Sequence, residues 1–468
     1  MGTKSSPGSL GSVVTVLLFI AGVLILAIGV AVSIALHEVG HLVPAKAFGV
    51  RVPQYMIGFG KTLFSRKRGE TEYGLKAIPL GGYISMIGMY PPSAATDVDG
   101  KVKASSTGMF TQMADEARQA AAEQLQPGDE HRMFYKLPVY KRVIIMLGGP
   151  FMNLVIAFVL FAVLLSGFGT VQSTTNVTEV YQCVVSQADQ KARGGDDAAT
   201  NCRRGDPKAP AYAAGLRPGD RITSFNGRDV REYQWDELTT LIRAAAGTSS
   251  TMTYLRDGTE HSTSITPILT QRPALDINGR AKTDAEGNTE LVNVGFVGMG
   301  AENKQMTVPL TEVPGAVGEN VRAVAGIVID LPARLVAVGK AAFSSAPRDP
   351  NGPMSVVGVG RIAGEVSAMD EIPLKDRVAT LIGLVGSLNI ALFVFNLIPL
   401  LPLDGGHVIG ALWEGLRRTV AKIFKRRDPG PVDIAKLMPL TYVVAVLMLG
   451  MGALLIYADI VKPVNIFG

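Results

Sequence analysis

The chain is poor in cysteine, histidine and charge, and each shortage removes a class of protein. Only two cysteines occur in 468 residues, Cys183 and Cys202. Neither lies near the histidine pair described below, so they are no ligands of a metal site there unless the fold brings them back. Charged residues are 18% of the chain against 47% hydrophobic, and mean hydropathy is positive. That balance is too apolar for an ordinary soluble multidomain protein and too charged for a bundle of spans alone. The net charge of +5 is modest and unevenly placed, so it reports membrane topology and argues for no nucleic-acid partner. Between Lys4 and His37 there is no charge at all.

That uncharged run ends in His37-Glu38-Val39-Gly40-His41. It is too long for a cleavable signal peptide and lacks an Ala-x-Ala exit, so it is read as a retained span. Ionisable groups at membrane depth are costly and are functional candidates for that reason. A spacing of four puts His37 and His41 on one helix face, where both rings can hold one metal ion. Glu38 follows the first histidine, placed to activate a water rather than to ligate. The alternative, two buried histidines satisfied by backbone carbonyls, leaves Glu38 unexplained.

Four uncharged apolar runs, roughly 12–36, 143–168, 378–403 and 440–458, each meet the length of a membrane span. The loop after the first holds Arg66-Lys67-Arg68, Lys101, Lys103 and Lys141-Arg142. The loop after the third holds Arg417-Arg418, Lys422 and Lys425-Arg426-Arg427. Both are expected on the cytoplasmic side, which puts the termini and the long middle segment outside. Within the first loop, Tyr55–Gly60 and Glu72–Pro79 alternate like short strands, and Leu80–Gly88 is an apolar stretch punctuated by glycine. It is either a β element at the bilayer edge or a surface hairpin. A loop at Asp97–Gly100 and a mostly polar helix at Met109–Leu125 follow.

The outer segment begins with a β-rich stretch. A strand is expected at Val177–Val185, a short helix and turn over Ala211–Asp220, and a strand at Arg221–Phe225 leading into Asn226-Gly227. A helix at Tyr233–Ala246 and a hairpin around Asp257-Gly258 complete it. This order, with Ala214-Gly215-Leu216-Arg217-Pro218-Gly219-Asp220, resembles a PDZ domain over roughly 172–270. Such a domain binds extended peptide ends by strand addition, or here only guards the membrane site. Cys183 and Cys202 flank a polar Gly194–Asp197 loop. Outside the cell they are expected to form a disulfide, and inside to stay reduced. Val308–Pro347 is apolar but interrupted by charges, so an amphipathic helix on the outer membrane face is expected.

A catalytic zinc needs three protein ligands and an open fourth position. No third histidine or glutamate follows at the spacing of soluble zinc proteases. The best remaining candidate is Asp404 in Leu403-Asp404-Gly405-Gly406-His407, beyond a helix broken by Pro399 and Pro402. The alternative for Asp404 is an interfacial cap on the next helix. His407, three residues on, is a neighbour of the site and not a ligand.

Together these motifs resemble the site-2 proteases, intramembrane zinc metalloproteases, in their regulator-of-sigma-E-protease branch and its actinobacterial single-PDZ form. The likeness also uses Ile78-Pro79-Leu80-Gly81-Gly82-Tyr83 and Gly149-Pro150-Phe151-Met152-Asn153, and covers nearly the whole chain. Gly148 and Leu401 depart from the usual pattern. The resemblance implies a Zn²⁺ enzyme with His37, His41 and Asp404 as ligands and Glu38 as the catalytic base. It implies a membrane-associated β element in which Gly81, Gly82 and Tyr83 contact an extended substrate. Asn396 takes the family's substrate-binding asparagine position, and Asn389, seven residues earlier, shares its helix face. A helix–helix hydrogen bond is the alternative role for either. Implied substrates are single-span membrane proteins, typically anti-sigma factors already shortened outside, in a bacterial plasma membrane. A catalytically silent scaffold recruiting partners through the PDZ-like domain, or a metal transporter, are the competing readings.

The expected fold is thus a polytopic α-helical membrane protein with four transmembrane helices, a membrane-associated β-hairpin and one extracytoplasmic PDZ-like α+β domain. Its expected parts are a first span with the motif (1–50), a cytoplasmic loop (51–139) with the β element at about 53–90, and a second span (140–169). Then come the PDZ-like domain (170–270), an outer linker with the amphipathic segment (271–376) and a third span with the aspartate motif (377–412). A basic cytoplasmic segment (413–438) and a fourth span (439–468) end it.

Overall fold

Helix α1, Ser9–Ala47, carries 39 residues, about 58 Å at 1.5 Å per residue and well beyond a bilayer core of roughly 30 Å. The His37–His41 motif therefore sits in its last third. The helix closes where Gly49 takes positive φ (83°), the left-handed residue that ends many helices. The computed structural model describes residues 9–91, 125–186, 189, 193, 202–230, 232, 235–275, 289–345, 348–349 and 352–464. The expected Asp97–Gly100 and Gly194–Asp197 loops lie outside them, as does the polar helix at Met109–Leu125 apart from Leu125. Two units are formed, one of Met1–Phe168, Pro309–Ser344 and Pro350–Gly468, the other of Gly169–Val308 with Ser345–Asp349.

In the first unit, β1 (Gln54–Arg68) and β2 (Thr71–Ser85) are 15 residues each, longer than the short strands expected. Their register is doubled. Gln54–Ile57 pairs with Gly82–Ser85 on one edge and with Glu72–Leu75 on the other, while Phe64–Arg68 pairs with Thr71–Leu75. Gly58 and Gly60, both at positive φ, let β1 bend between its halves. The element is a small folded-over sheet and not a plain hairpin. The 126–137 segment is stitched to it: Phe134 and Tyr135 donate backbone N–H bonds to Ile87 and Gly88 carbonyls, and Arg132 holds Glu70 with two 2.8 Å bonds. Arg51 and Asp129 form a buried pair at 2.8 Å. Burial alone would raise the Asp129 pKa, but the Gln126 N–H and the Arg51 guanidinium outweigh it and hold it below the ordinary aspartate value. Helix α2, Val139–Ala162, then continues through a π-helical turn to Phe168.

The second unit runs β3 (Thr170–Val180), a single turn α3 (Pro210–Ala213), β4 (Arg221–Phe225), β5 (Arg228–Asp229) and α4 (Trp235–Ala244). It continues with β6 (Ser250–Arg256), β7 (Thr259–Ile265), β8 (Ile268–Pro273), β9 (Leu291–Phe296) and β10 (Met299–Met306). The main sheet has the order β10-β3-β4-β6-β7 with β5 on β4, and β8 pairs with β9. Ile222, Phe225, Leu238, Met252 and Ile265 are buried together in its core, each contributing about 1.5–3 kcal/mol of burial. Asp220, the last residue of the Ala214–Asp220 motif, is 1% exposed. It accepts from the Arg217 N–H at 2.7 Å and from Arg256 at 2.7 and 2.8 Å, so the motif is a satisfied turn that ties β4 to β6. Cys183 and Cys202 are joined by a disulfide.

The domain differs from the 170–270 expected. β3 starts at Thr170 and its outer edge pairs with β10, so residues to Val308 belong to the unit rather than to a linker.

Back in the first unit, the single helix expected over Val308–Pro347 is two, α5 (Val313–Ile329) and α6 (Leu331–Phe343), with Pro332 in the first turn of α6, where a helix needs no donor. α7 (Val356–Ala368) is capped by Ser355, whose hydroxyl accepts from Val357 and Gly358 N–H. The third span expected at 377–412 is split into α8 (Leu374–Asn396) and α9 (Asp404–Ile423). Pro399 and Pro402 lack the donors a helix would use and push their predecessors out of helical geometry. The basic segment expected at 413–438 is in good part the second half of α9. Helix α10, Met438–Val461, ends the described chain's secondary structure.

Among the described residues four helices are long and apolar enough to cross a membrane, within Val13–Ala47, Val139–Phe168, Leu374–Asn396 and Ile434–Val461. The chain is a polytopic membrane protein with a β-rich unit. α1 packs on α2 and α7, α8 packs on α1 and α2, and α9 packs on α2.

With the bridge intact, the unfolded but unreduced full-length protein takes up no maleimide-polyethylene glycol, because the chain has no other cysteine. After reduction it gains two labels on a denaturing gel. Labelling before reduction would show that the bridge does not form.

Candidate metal centre

The site begins with a close helix crossing. A Cβ on Gly40 of α1 would collide with the Gly148 carbonyl of α2, and one on Gly148 would collide with the Gly40 carbonyl. An alanine at either position would force these backbones apart. Their closeness places α2 carbonyls and side chains beside the histidines of α1.

The His41 ring nitrogen Nδ1 lies 2.8 Å from the Ile145 carbonyl. A carbonyl only accepts, so Nδ1 carries the proton and Nε2 keeps its lone pair for a metal. On the other ring, Asn153 Nδ2 lies 3.1 Å from His37 Nδ1, and Asn153 Oδ1 is buried with no partner. A half-turn of that amide brings Oδ1 to His37 Nδ1–H, which gives that oxygen a donor and leaves His37 Nε2 equally free. Asn153 is fully buried, one turn beyond Gly149 on α2. Its motif was visible in the sequence, but its contact with His37 was not, and the i, i+4 spacing of Gly149 and Asn153 is the signal that could have given it.

The third group comes from α9. Gly405 and Gly406 let that helix start against the 397–401 backbone, where any Cβ would clash, and Asp404 opens its first turn, where a carboxylate is favoured. The His37 Nε2 to His41 Nε2 distance is 3.3 Å. Asp404 Oδ2 is 3.4 Å from each of them and accepts no hydrogen bond although buried.

Three donors at nearly equal separations make one face of a tetrahedron. Bonds of about 2.0–2.1 Å to a central zinc give tetrahedral edges of roughly 3.3–3.4 Å, so the set fits zinc and leaves the fourth vertex open. Hydrogen bonding does not explain this triangle, since two of its members are needed as bare acceptors. A Cβ on Gly149 would run into His41 Nε2 and His37 Cε1, so this glycine keeps the volume clear.

Glu38 is 8% exposed and accepts from the Ile84 N–H of β2. Gly82 of the same strand faces it: a Cβ there would meet Glu38 Cγ and Ile34 Cγ2 at 3.0 and 3.1 Å. Gly81 stands at φ 112°. Tyr83 is half-buried, donates to Gln54 at 3.3 Å and stacks on Phe59. Asn396 ends α8, half-buried.

Asn389 departs from its expected role. It is fully buried, and its amide donates to Ser33 Oγ on α1 at 2.9 Å and to Val385 O at 2.8 Å. This is the helix–helix alternative: packing of α8 on α1 turns that face inward. His407 follows Asp404 by one turn with its Nδ1 buried.

The chain is similar to known proteins over most of its length. Residues 25–427 match the family described as Peptidase family M50. The chain is 32% identical over 462 residues to "Zinc metalloprotease Rip1" of Mycobacterium tuberculosis (strain ATCC 25618 / H37Rv), covering 96% of this chain and 100% of that protein. It is 31% identical over 461 residues to the protein of the same name from Mycolicibacterium smegmatis, with the same coverage. To "Metalloprotease MmpA" of Caulobacter vibrioides it is 26% identical over 397 residues, 83% of this chain and 85% of that one.

Replacing Asn153 with Leu should weaken zinc binding about 10–100-fold, the usual effect of removing a group that orients a histidine ligand. Competition with a chromophoric chelator reads this out, and unchanged affinity would show that the amide does not orient His37. Gly149→Ala should purify with little or no zinc.

Proposed function

The chain belongs to peptidase family M50, the site-2 proteases, and from that membership we propose that it cuts peptide bonds within the spans of single-span membrane proteins. Family membership makes it a zinc metalloprotease. The reading proposed beyond that assigns His37, His41 and Asp404 to the metal and Glu38 to proton transfer. The observation that carries it is the triangle of two imidazole nitrogens and one carboxylate oxygen at 3.3–3.4 Å, with Glu38 beside it. A scaffold gives no reason for that triangle, and a metal transporter calls for further ligands along a path, whereas among the described residues only this one group of three could hold a metal.

Zinc held there supplies Lewis-acid activation of a water and of the scissile carbonyl. Glu38, buried next to the ligands and held by Ile84 N–H, takes the proton of the attacking water and passes it to the leaving nitrogen. A transmembrane helix hides its carbonyls in its own hydrogen bonds, so the substrate must be extended first. The Gly82–Ser85 segment of β2 pairs with Gln54–Ile57 on one side and stands against Glu38 through Gly82. Its other edge is the place for an added strand, with Gly81, Gly82 and Tyr83 along it. Phe59, Leu63 and Phe64 are exposed on the same sheet, which supports a membrane-associated role for it. Asn396, at the end of α8, is the side-chain amide proposed to engage the substrate backbone.

Loop charges support a site toward the cytoplasmic side of the plasma membrane, with both termini and the β-rich unit outside. The PDZ-like strand order and the Ala214–Asp220 turn support a unit that admits trimmed substrates, anti-sigma factors among them, and excludes intact ones.

Glu38→Gln keeps the three ligands and removes the base. Zinc content should stay at the wild-type level while cleavage of a co-expressed tagged single-span substrate falls by about 10²-fold or more. A variant that still cuts at the wild-type rate would sink the assignment.

A further inference from the structure

One surface of the first unit is not used by the metal centre. Along α9, Ile409, Leu412, Trp413, Leu416, Val420 and Ile423 recur at helical spacing and are 43–70% exposed. At 3.6 residues per turn they fill an arc of about 100°, the width of a face made for burial. Among the described residues nothing covers it. The opposite face is fastened. Ala411 is buried, and Glu414 is fully buried in a pair with Arg142 of α2, accepting also from Val432 N–H. α9 is therefore held on its inner side and bare on its outer one.

The helix is also basic at its far end. Arg417 and Arg418 are half-buried, while Lys422, Lys425, Arg426 and Arg427 are exposed, against one exposed acid, Asp428. Arg418 is shared between Glu414 and Asp428, and Arg417 reaches the Pro429 carbonyl. Lys422 is exposed in the last turn of α9, and Lys425, Arg426 and Arg427 are exposed just past its last residue, Ile423. Residues 397–403 join α9 to the span in α8, so its first turn lies within about 25 Å of that span's end. An apolar stripe holding tryptophan, a cationic flank and a tether to the bilayer together define a helix lying in the membrane interface.

We propose that α9 seats its outer face in the leaflet and that Lys422 in its last turn, with Lys425, Arg426 and Arg427 just beyond it, binds anionic phospholipid headgroups. Clusters of this size attract anionic lipid because each cation near the surface adds to the binding. Asp404 opens the same helix, so the element that meets the lipid at one end presents a proposed metal ligand at the other. The lipid contact itself does not depend on the metal reading.

Trp413 reports the contact directly. The full-length protein is placed in nanodiscs of phosphatidylcholine mixed with phosphatidylglycerol, with brominated chains on one lipid or the other. Fluorescence of Trp413→Phe is subtracted to isolate the Trp413 signal from Trp235. The expected result is quenching by both lipids, roughly twofold stronger or more from brominated phosphatidylglycerol. The Lys422→Gln/Lys425→Gln/Arg426→Gln/Arg427→Gln variant should lose that preference while keeping its zinc and its apolar quenching. Should the variant not reconstitute, 1 M salt on the wild type should erase the same preference by screening. Absence of quenching would overturn the proposal, since the stripe would then be covered by a partner, by a second copy or by the chain itself. Equal quenching by the two lipids would overturn it as well, as would a preference that survives both charge removal and salt.

Discussion

Two backbones meet at Gly40 and Gly148 with no side chain between them, and the rest of the centre depends on that contact. Close approach lets the Ile145 carbonyl reach one imidazole and Asn153 the other, which sets the ring faces and leaves both Nε2 atoms free. Gly149 keeps open the space they point into. A side chain at any of these glycines would separate the helices or fill the site, so packing and chemistry share one constraint.

Helix α2 also carries the other half. Its Arg142 is locked to Glu414 in a pair whose side chains are 4% and 1% exposed. Losing one partner of such a pair costs about 3–5 kcal/mol because the other charge stays buried. The pair fixes how α9 lies on α2, and α9 begins with Asp404. One helix thus registers both the histidines of α1 and the carboxylate of α9, which come from sequence positions far apart. The sheet adds a third contact: Gly82 and the Ile84 N–H bring the edge of β2 against Glu38, so the proposed base and the proposed substrate track are set by one strand.

The second unit follows a separate logic. Its core is closed by β10 returning to β3, its Ala214–Asp220 turn is tied by Arg256, and its disulfide joins residues 183 and 202. The first unit carries apolar helix surface on its four span-length helices and on α9, where a basic end follows the stripe.

The sequence by itself determined what local periodicity and chemical cost can carry. The spans, the His37–His41 spacing, the oddity of Asp404 beyond a proline-broken helix and the Asn-Gly and Asp-Gly turns are all readable within a few residues. Family likeness, carried by joint motifs, added the zinc and the class of reaction. What the sequence left open required knowing which faces meet. Asn389 and Asn396 share a helix face by spacing, but only the packing of α8 on α1 turns Asn389 to Ser33. The doubled register of β1 on β2 and the pairing of β10 with β3 involve partners chosen by tertiary contacts. So does the role of Asn153. The motif at the end of α1 names two proposed ligands; whether they meet a third is decided by glycine contacts and a buried ion pair that no local pattern encodes.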